Sequence, residues 1–208
     1  MPLEMLRYDV TPVGMHYLLT HFDYPSLDAD TWALEIGGLL NKPVEFKLAD
    51  LKALPQVTQT VTLECAGNGR ANIDRRYQSM PWQNEAVSTA KWTGVRLSDV
   101  LGKLVIDPSA TEIVFYGADH GEDSNGEHDF ARSLSVSHAM QTEVMLAYEM
   151  NDLPLLPQHG APVRVVVPGW YGMASVKWLT RIEAIDCAFD GPQQVGTYVY
   201  REKPEDIG

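Results

Sequence analysis

From Val57 to Cys65 apolar and polar side chains alternate with a period of two, and the run breaks at Ala66-Gly67-Asn68-Gly69. Such a period describes a strand with two unlike faces: Val57, Val61, Leu63 and Cys65 share one, and Thr58, Thr60, Thr62 and Glu64 the other. The inward face therefore ends on a thiol. Two glycines flanking an asparagine permit positive φ and a sharp turn, so Cys65 is expected at the mouth of a turn, where it can face a cavity.

The neighbouring sequence predicts what this strand packs with. Residues 32–46 hold short apolar runs separated by Gly37, Gly38, Asn41 and Pro43, which predicts two strands joined by a turn. Leu48, Leu51 and Leu54 fall at helical spacing until Pro55. Further on we expect a helix over 97–104 capped by Ser98, a strand over 112–116 ending at Gly117, and a polar loop over 119–129. A helix is expected over 135–141, a buried strand over 163–167 and an alternating strand over 178–189. Strands outnumber helices without alternating regularly with them, which predicts an α+β fold in one domain over residues 1–208.

Sixteen basic against twenty-eight acidic residues leave a formal charge of −12, a field that repels nucleic acid and anionic lipid. No stretch approaches the roughly 20 apolar residues that span a bilayer. Residues 1–24 lack a basic start followed by an apolar core, so the expected compartment is cytoplasmic, or periplasmic if an export leader has been removed. Two cysteines are too few for a disulfide scaffold, although one bridge between them stays open. Cys187 alternates with Ile185 and Phe189 and is expected to be a buried packing thiol; Trp92, Trp170 and Trp178 are expected in the core or along a cleft.

A lone inward cysteine is ordinarily a small core hydrophobe. In a chain this acidic, however, Arg70, Arg75 and Arg76 follow Cys65 within a dozen residues, offset in part by Asp74. Their field would favour a thiolate and attract an anion. Gly67 and Gly69 open a dinucleotide-type glycine pattern, but Asn72 stands where its third glycine belongs. A zinc site is not expected, because the six histidines are scattered and His120 and His128 read as solvated loop residues. No G-x-S-x-G marks a serine hydrolase. The second dense region runs from His159 through Arg164 to the glycine-rich turn that delivers Ser175 and Lys177. Backbone amides, a hydroxyl and two cations there form a candidate phosphate cradle, unless Arg164 and Lys177 merely pair with surface carboxylates.

Four ordered motifs together resemble the molybdenum-cofactor domain of the sulfite oxidase family over nearly the whole chain. They are Thr62-Leu63-Glu64-Cys65-Ala66-Gly67-Asn68, Ser88-Thr89-Ala90-Lys91-Trp92-Thr93-Gly94-Val95-Arg96-Leu97, Leu146-Ala147-Tyr148-Glu149-Met150-Asn151, and the stretch from His159 to Trp178. The resemblance implies the family's mixed-sheet, molybdopterin-binding α+β fold. It also implies that Cys65 ligates molybdenum as the one protein thiolate, a soft donor suited to such a centre. His21, Asp119, His159, Arg164, Ser175 and Lys177 would hold the pterin and its phosphate. Arg70, Trp82 and Phe130 would join Cys65 as the catalytic set.

The implied reaction is oxygen-atom transfer to or from a small sulfur-containing or other oxyanion or oxide, with electrons exchanged with a separate cytochrome, haem protein or quinone. The chain departs from the sulfite-oxidising pattern in two places. Leu19 stands where an arginine precedes the His21 position, and Phe130 where a tyrosine is expected. Arg132, close to Phe130, could restore some charge. A sulfoxide reductase of the methionine-sulfoxide-reductase catalytic-subunit type and a non-catalytic pterin-binding protein are the alternatives. Neither the immunoglobulin-like dimerisation domain nor a haem segment is expected in this chain.

Overall fold

In the computed structural model, residues 1–73, 79–195 and 198 are described. Ten strands follow in order: β1 (Ala33–Gly38), β2 (Val44–Lys47), β3 (Gln56–Glu64), β4 (Val87–Arg96), β5 (Glu112–Asp123), β6 (Gly126–Ser135), β7 (Met145–Met150), β8 (Leu153–Pro154), β9 (Arg164–Val166) and β10 (Leu179–Ile185). One sheet has the order β2-β1-β10-β5-β6, parallel only between β1 and β10; the other has the order β3-β4-β7-β8, with β9 paired antiparallel to β7. Helices are short: α1 (Leu48–Lys52), α2 (Leu97–Leu101), α3 (Val136–Ala139) and α4 (Pro192–Val195). None is long and apolar enough to cross a membrane. This is the α+β, mixed-sheet architecture expected from the sequence.

The alternation read in the sequence decides which face of each strand is dry. On β3, Val61 and Leu63 are buried while Thr58, Thr60, Thr62 and Glu64 face outward. Thr58 and Thr62 pair hydroxyls with Thr93 and Thr89 of β4, each at 2.8 Å, which ties the edge strand to its neighbour. The inward residues of β3, β4 and β7 pack as a cluster of Val61, Leu63, Trp92, Met145, Ala147 and Met150. A larger cluster joins β1, β5 and β10 with the α2 side chains Leu97, Val100 and Leu101. Each large apolar side chain removed from water there contributes about 1.5–3 kcal/mol.

Five local expectations are corrected. Residues 119–129 form the paired ends of β5 and β6 rather than a loop, with Asp123 opposite Gly126. Their polar composition reflects an exposed hairpin, braced where His120 meets Asp129 at 2.7 Å and Glu127 at 3.0 Å. The strand from Glu112 also runs past Gly117, through a register shift between Tyr116 and His120. Helix α2 starts from Arg96 with no side-chain cap; the Ser98 carbonyl instead accepts the Gly102 N–H, and the helix ends at Leu101. Cys187 is exposed, because β10 ends at Ile185 and the alternation no longer reports a sheet face; both cysteines are free. Trp92 and Trp178 are fully buried, whereas Trp170 is exposed and donates to the ring of His138 at 2.9 Å.

Candidate active site

Cys65 follows the last residue of β3, and a dense set of bonds fixes it. Its N–H donates to the Ala86 carbonyl at 2.9 Å, its carbonyl accepts from Asn68 N at 2.9 Å, and the Gly67 N–H points at its sulfur at 3.4 Å. Asn68 staples the turn, donating to Glu64 at 3.0 Å and accepting from Ala86 N at 3.1 Å. Gly69 takes the left-handed φ of 80° that this turn needs. At Gly67 a side chain would collide with the Arg70 guanidinium, so glycine lets that arginine fold back over the turn.

The thiol lines a cavity of about 300 Å³ walled by both sheets and by residues 16–21. Cys65, Phe130, His21, Asp119, His159, Arg164, Ser175 and Lys177, picked out by the sequence, all border it. Arg70 and Trp82 do not. Arg70 donates to Ser79 Oγ at 2.8 Å and to the Met80 carbonyl at 3.0 Å, holding a wall segment rather than facing the space. Trp82 stands behind the wall, its ring edge-on to Tyr17 at 6.4 Å. Asp74, Arg75 and Arg76 lie outside the described residues.

The cavity's charge is opposite to that of the chain. Among the described residues, Arg132, Arg164 and Lys177 line it against a single carboxylate, Asp119. Arg164 is buried and donates to the carbonyls of His159 at 3.0 Å and Ser175 at 2.8 Å, with its guanidinium 4.9 Å from the Trp92 ring centroid. Burial pushes its pKa down to about 10, so it stays cationic at neutral pH. Lys177 donates to the Leu19 carbonyl at 2.9 Å and lies over the Trp178 ring. Burial, aided by Arg164, lowers its pKa to about 7. Burial raises Asp119 to about 6, and its Oδ1 has no hydrogen-bond partner. Ser175 Oγ accepts the Val167 N–H at 3.1 Å, fixing the turn after β9.

Three further lining residues were missed or left open by the sequence. His16 and Tyr17 sit in a stretch without periodicity, so nothing flagged them. Burial holds the His16 ring neutral, with a pKa near about 3 and an unpartnered Nε2. Arg132 is no surface residue: it shares a face of β6 with Phe130, lies 4.3 Å over that ring, and leaves its Nε buried and unpartnered.

An anionic, polar guest fits these residues. Buried cations that, among the described residues, form no close ion pair, an orphaned Asp119 oxygen and a soft sulfur donor match a sulfur-ligated metal carried on a phosphorylated heterocycle. Lys177 also gives the cavity a pH signature. Below about pH 7 it is an ammonium in both folded and unfolded chains, and the cost of burying it is fully present. Between about 7 and 10.5 only the unfolded chain keeps the proton, so the ligand-free fold gains stability as pH rises. An anion beside Nζ favours the ammonium. Phosphate retention is therefore expected to weaken as pH climbs past 7, measured by equilibrium dialysis, with the slope lost in Lys177→Met.

Residues 21–193 match the oxidoreductase molybdopterin binding domain. The chain belongs to that family, whose sulfite oxidase and nitrate reductase members it resembles about equally. It is 40% identical over 189 residues to a nitrate reductase [NAD(P)H] of Hordeum vulgare, covering 88% of this chain and 21% of that protein. With the mitochondrial sulfite oxidase of Homo sapiens it shares 39% identity over 189 residues, 87% of this chain and 34% of that one. The crystal structure of the sulfane dehydrogenase SoxCD from Paracoccus pantotrophus superposes with a TM-score of 0.77 at 30% identity, covering 88% of this chain and 46% of that one. The chain thus spans 21% and 34% of these two curated relatives.

Proposed function

We propose that this chain carries the oxygen-transferring centre of an oxidoreductase acting on a small oxide or oxyanion, with electrons exchanged with a separate carrier. The observation that carries the reading is the cationic cavity beside Cys65 in a chain of net charge −12. Cys65 would ligate molybdenum. His21, Asp119, His159, Arg164, Ser175 and Lys177 would hold the pterin and its phosphate. When bound, the cofactor supplies a metal that changes oxidation state by two electrons as an oxygen atom moves. Phe130 and Arg132 would form the substrate side, Arg132 offering its unpartnered Nε to an oxygen of the guest. Phe130 contributes an apolar wall and no hydroxyl.

Protein from a cofactor-producing host is expected to contain about one molybdenum per chain and to turn over sulfite, nitrate or a methyl sulfoxide with a redox dye. Cofactor without turnover of any pair would favour a non-catalytic pterin-binding protein. Turnover of sulfoxide alone would favour the reductase reading. Arg132→Gln is expected to raise KM for an anionic substrate by roughly tenfold or more, since a charged hydrogen bond is worth about 1.5–3 kcal/mol. Arg70→Gln should leave KM unchanged and cost about 1 kcal/mol of stability, because Arg70 ties down Ser79 and Met80. The reverse pattern would move the anion contact to Arg70.

A further inference from the structure

At the tip of the β5–β6 hairpin, two histidines and one aspartate far apart in sequence converge. Single nitrogen or oxygen atoms of His21, Asp123 and His128 lie within 4.8 Å of one another. The arrangement is held from outside. Asn125 donates its backbone N–H at 2.7 Å and its side-chain amide at 3.1 Å to Asp123 Oδ1, which turns Oδ2 toward the rings. His128 Nδ1 lies 3.0 Å from the Gly126 carbonyl. Only an N–H can face a carbonyl, so in the neutral ring the proton sits on Nδ1 and Nε2 carries a lone pair. That Nε2 is buried, makes no hydrogen bond, and points at Asp123 Oδ2 from 3.8 Å. His21 Nε2 approaches the same oxygen at 2.9 Å. Both rings pack edge-on against Phe22, at 4.4 and 5.2 Å between centroids.

A lone pair facing a carboxylate repels it, and a cation between them removes the conflict. We propose that His21, Asp123 and His128 bind one divalent first-row transition ion of the zinc type, distinct from the metal at Cys65. Two imidazole nitrogens and a carboxylate oxygen are a donor set for such ions, with further positions open to water or an anion. Donor atoms of a tetrahedral site with bonds of 2.0–2.1 Å are roughly 3.4 Å apart. The 2.9 and 3.8 Å separations on either side of Asp123 Oδ2 straddle that value, and all three donor atoms lie within 4.8 Å of one another, so closure needs a movement of about 1.4 Å at most. A carbonyl behind one imidazole and an amide behind the carboxylate are the supports that orient ligands in metal sites. His21 also lines the cavity, which puts the ion in the cavity wall.

The test is titration of the chelator-treated, cofactor-loaded protein with ZnCl2 by calorimetry, followed by Co²⁺ substitution and absorption spectroscopy. One Zn²⁺ per chain and a Co²⁺ spectrum of nitrogen and oxygen ligation are expected. His128→Gln and Asp123→Asn should each weaken zinc binding by at least the roughly 10–100-fold that lesser changes around metal sites cost. Molybdenum content and the melting temperature in chelator should stay at wild-type values in His128→Gln, whose ring does not line the cavity. His120→Gln, which alters the neighbouring His120–Glu127–Asp129 contacts, should leave zinc binding unchanged. Absence of zinc uptake would overturn the proposal and assign the cluster to a proton. Uptake unaffected by His128→Gln, or abolished by His120→Gln, would place the ion elsewhere and overturn it too.

Discussion

Cys65→Ser is expected to abolish turnover while leaving a folded chain that still binds the pterin. Serine keeps the size of the side chain and the backbone bonds to Ala86 and Asn68, so the turn survives. What changes is the donor: a hard hydroxyl replaces a soft thiolate at the position proposed to hold a heavy transition metal. Changes merely adjacent to metal ligands cost about 10–100-fold, and loss of the ligand itself should exceed that. Three measurements read the outcome: molybdenum per chain, pterin fluorescence after denaturation, and dye-linked rate. Undiminished turnover with full molybdenum content would remove Cys65 from the centre. Unfolding of the variant is checked by its melting curve, and Cys65→Ala, which keeps the turn but offers no ligand, serves as second probe.

Arg164→Met should come next in size, and its signature differs. Arg164 is a buried cation that, among the described residues, meets carbonyl oxygens and an aromatic face but no carboxylate. Desolvating it costs free energy that an incoming phosphate would offset. Removing one partner of a buried charge pair typically costs about 3–5 kcal/mol, or roughly a hundred- to several-thousandfold in retention. Cofactor content should therefore collapse in the variant. The ligand-free chain should lose far less stability, because methionine fills the volume without a buried charge; the His159 and Ser175 carbonyls are what it leaves unpaired. Arg164→Lys keeps the charge but not the planar fork and should fall between. Full cofactor content in Arg164→Met would assign Arg164 to bracing the turns alone.

Sequence periodicity carried β3, where one face is dry, but left β4 and β7 unread. Val61, Leu63 and Cys65 were legible because burial alternates residue by residue along β3. It failed where both faces of a pair are wet: the hairpin of β5 and β6 is held by backbone bonds and by His120 between two carboxylates, and polar side chains leave no apolar rhythm to read. The same blindness hid the convergence of His21 with His128, since that contact exists only once residues 16–21 lie across the sheet ends. Arg70 shows a different limit. Its nearness to Cys65 in sequence suggested a shared cavity, yet the turn that presents the thiol sends the guanidinium behind Gly67. The field expected from the arginines after Cys65 is borne in the described cavity by Arg132 and by Arg164 and Lys177, the two cations of the second dense region.

The stapled turn around Cys65 bears on how fast electrons could leave. A sulfur fixed through Ala86, Asn68 and Gly67 would have little freedom to shift under a change of charge on the metal it is proposed to hold. Small nuclear rearrangement would keep the barrier to electron exchange with the proposed carrier low, as preorganised donors do at other reacting centres. Loosening that staple, for instance at Asn68, would slow the outflow to the carrier even where the metal stays in place.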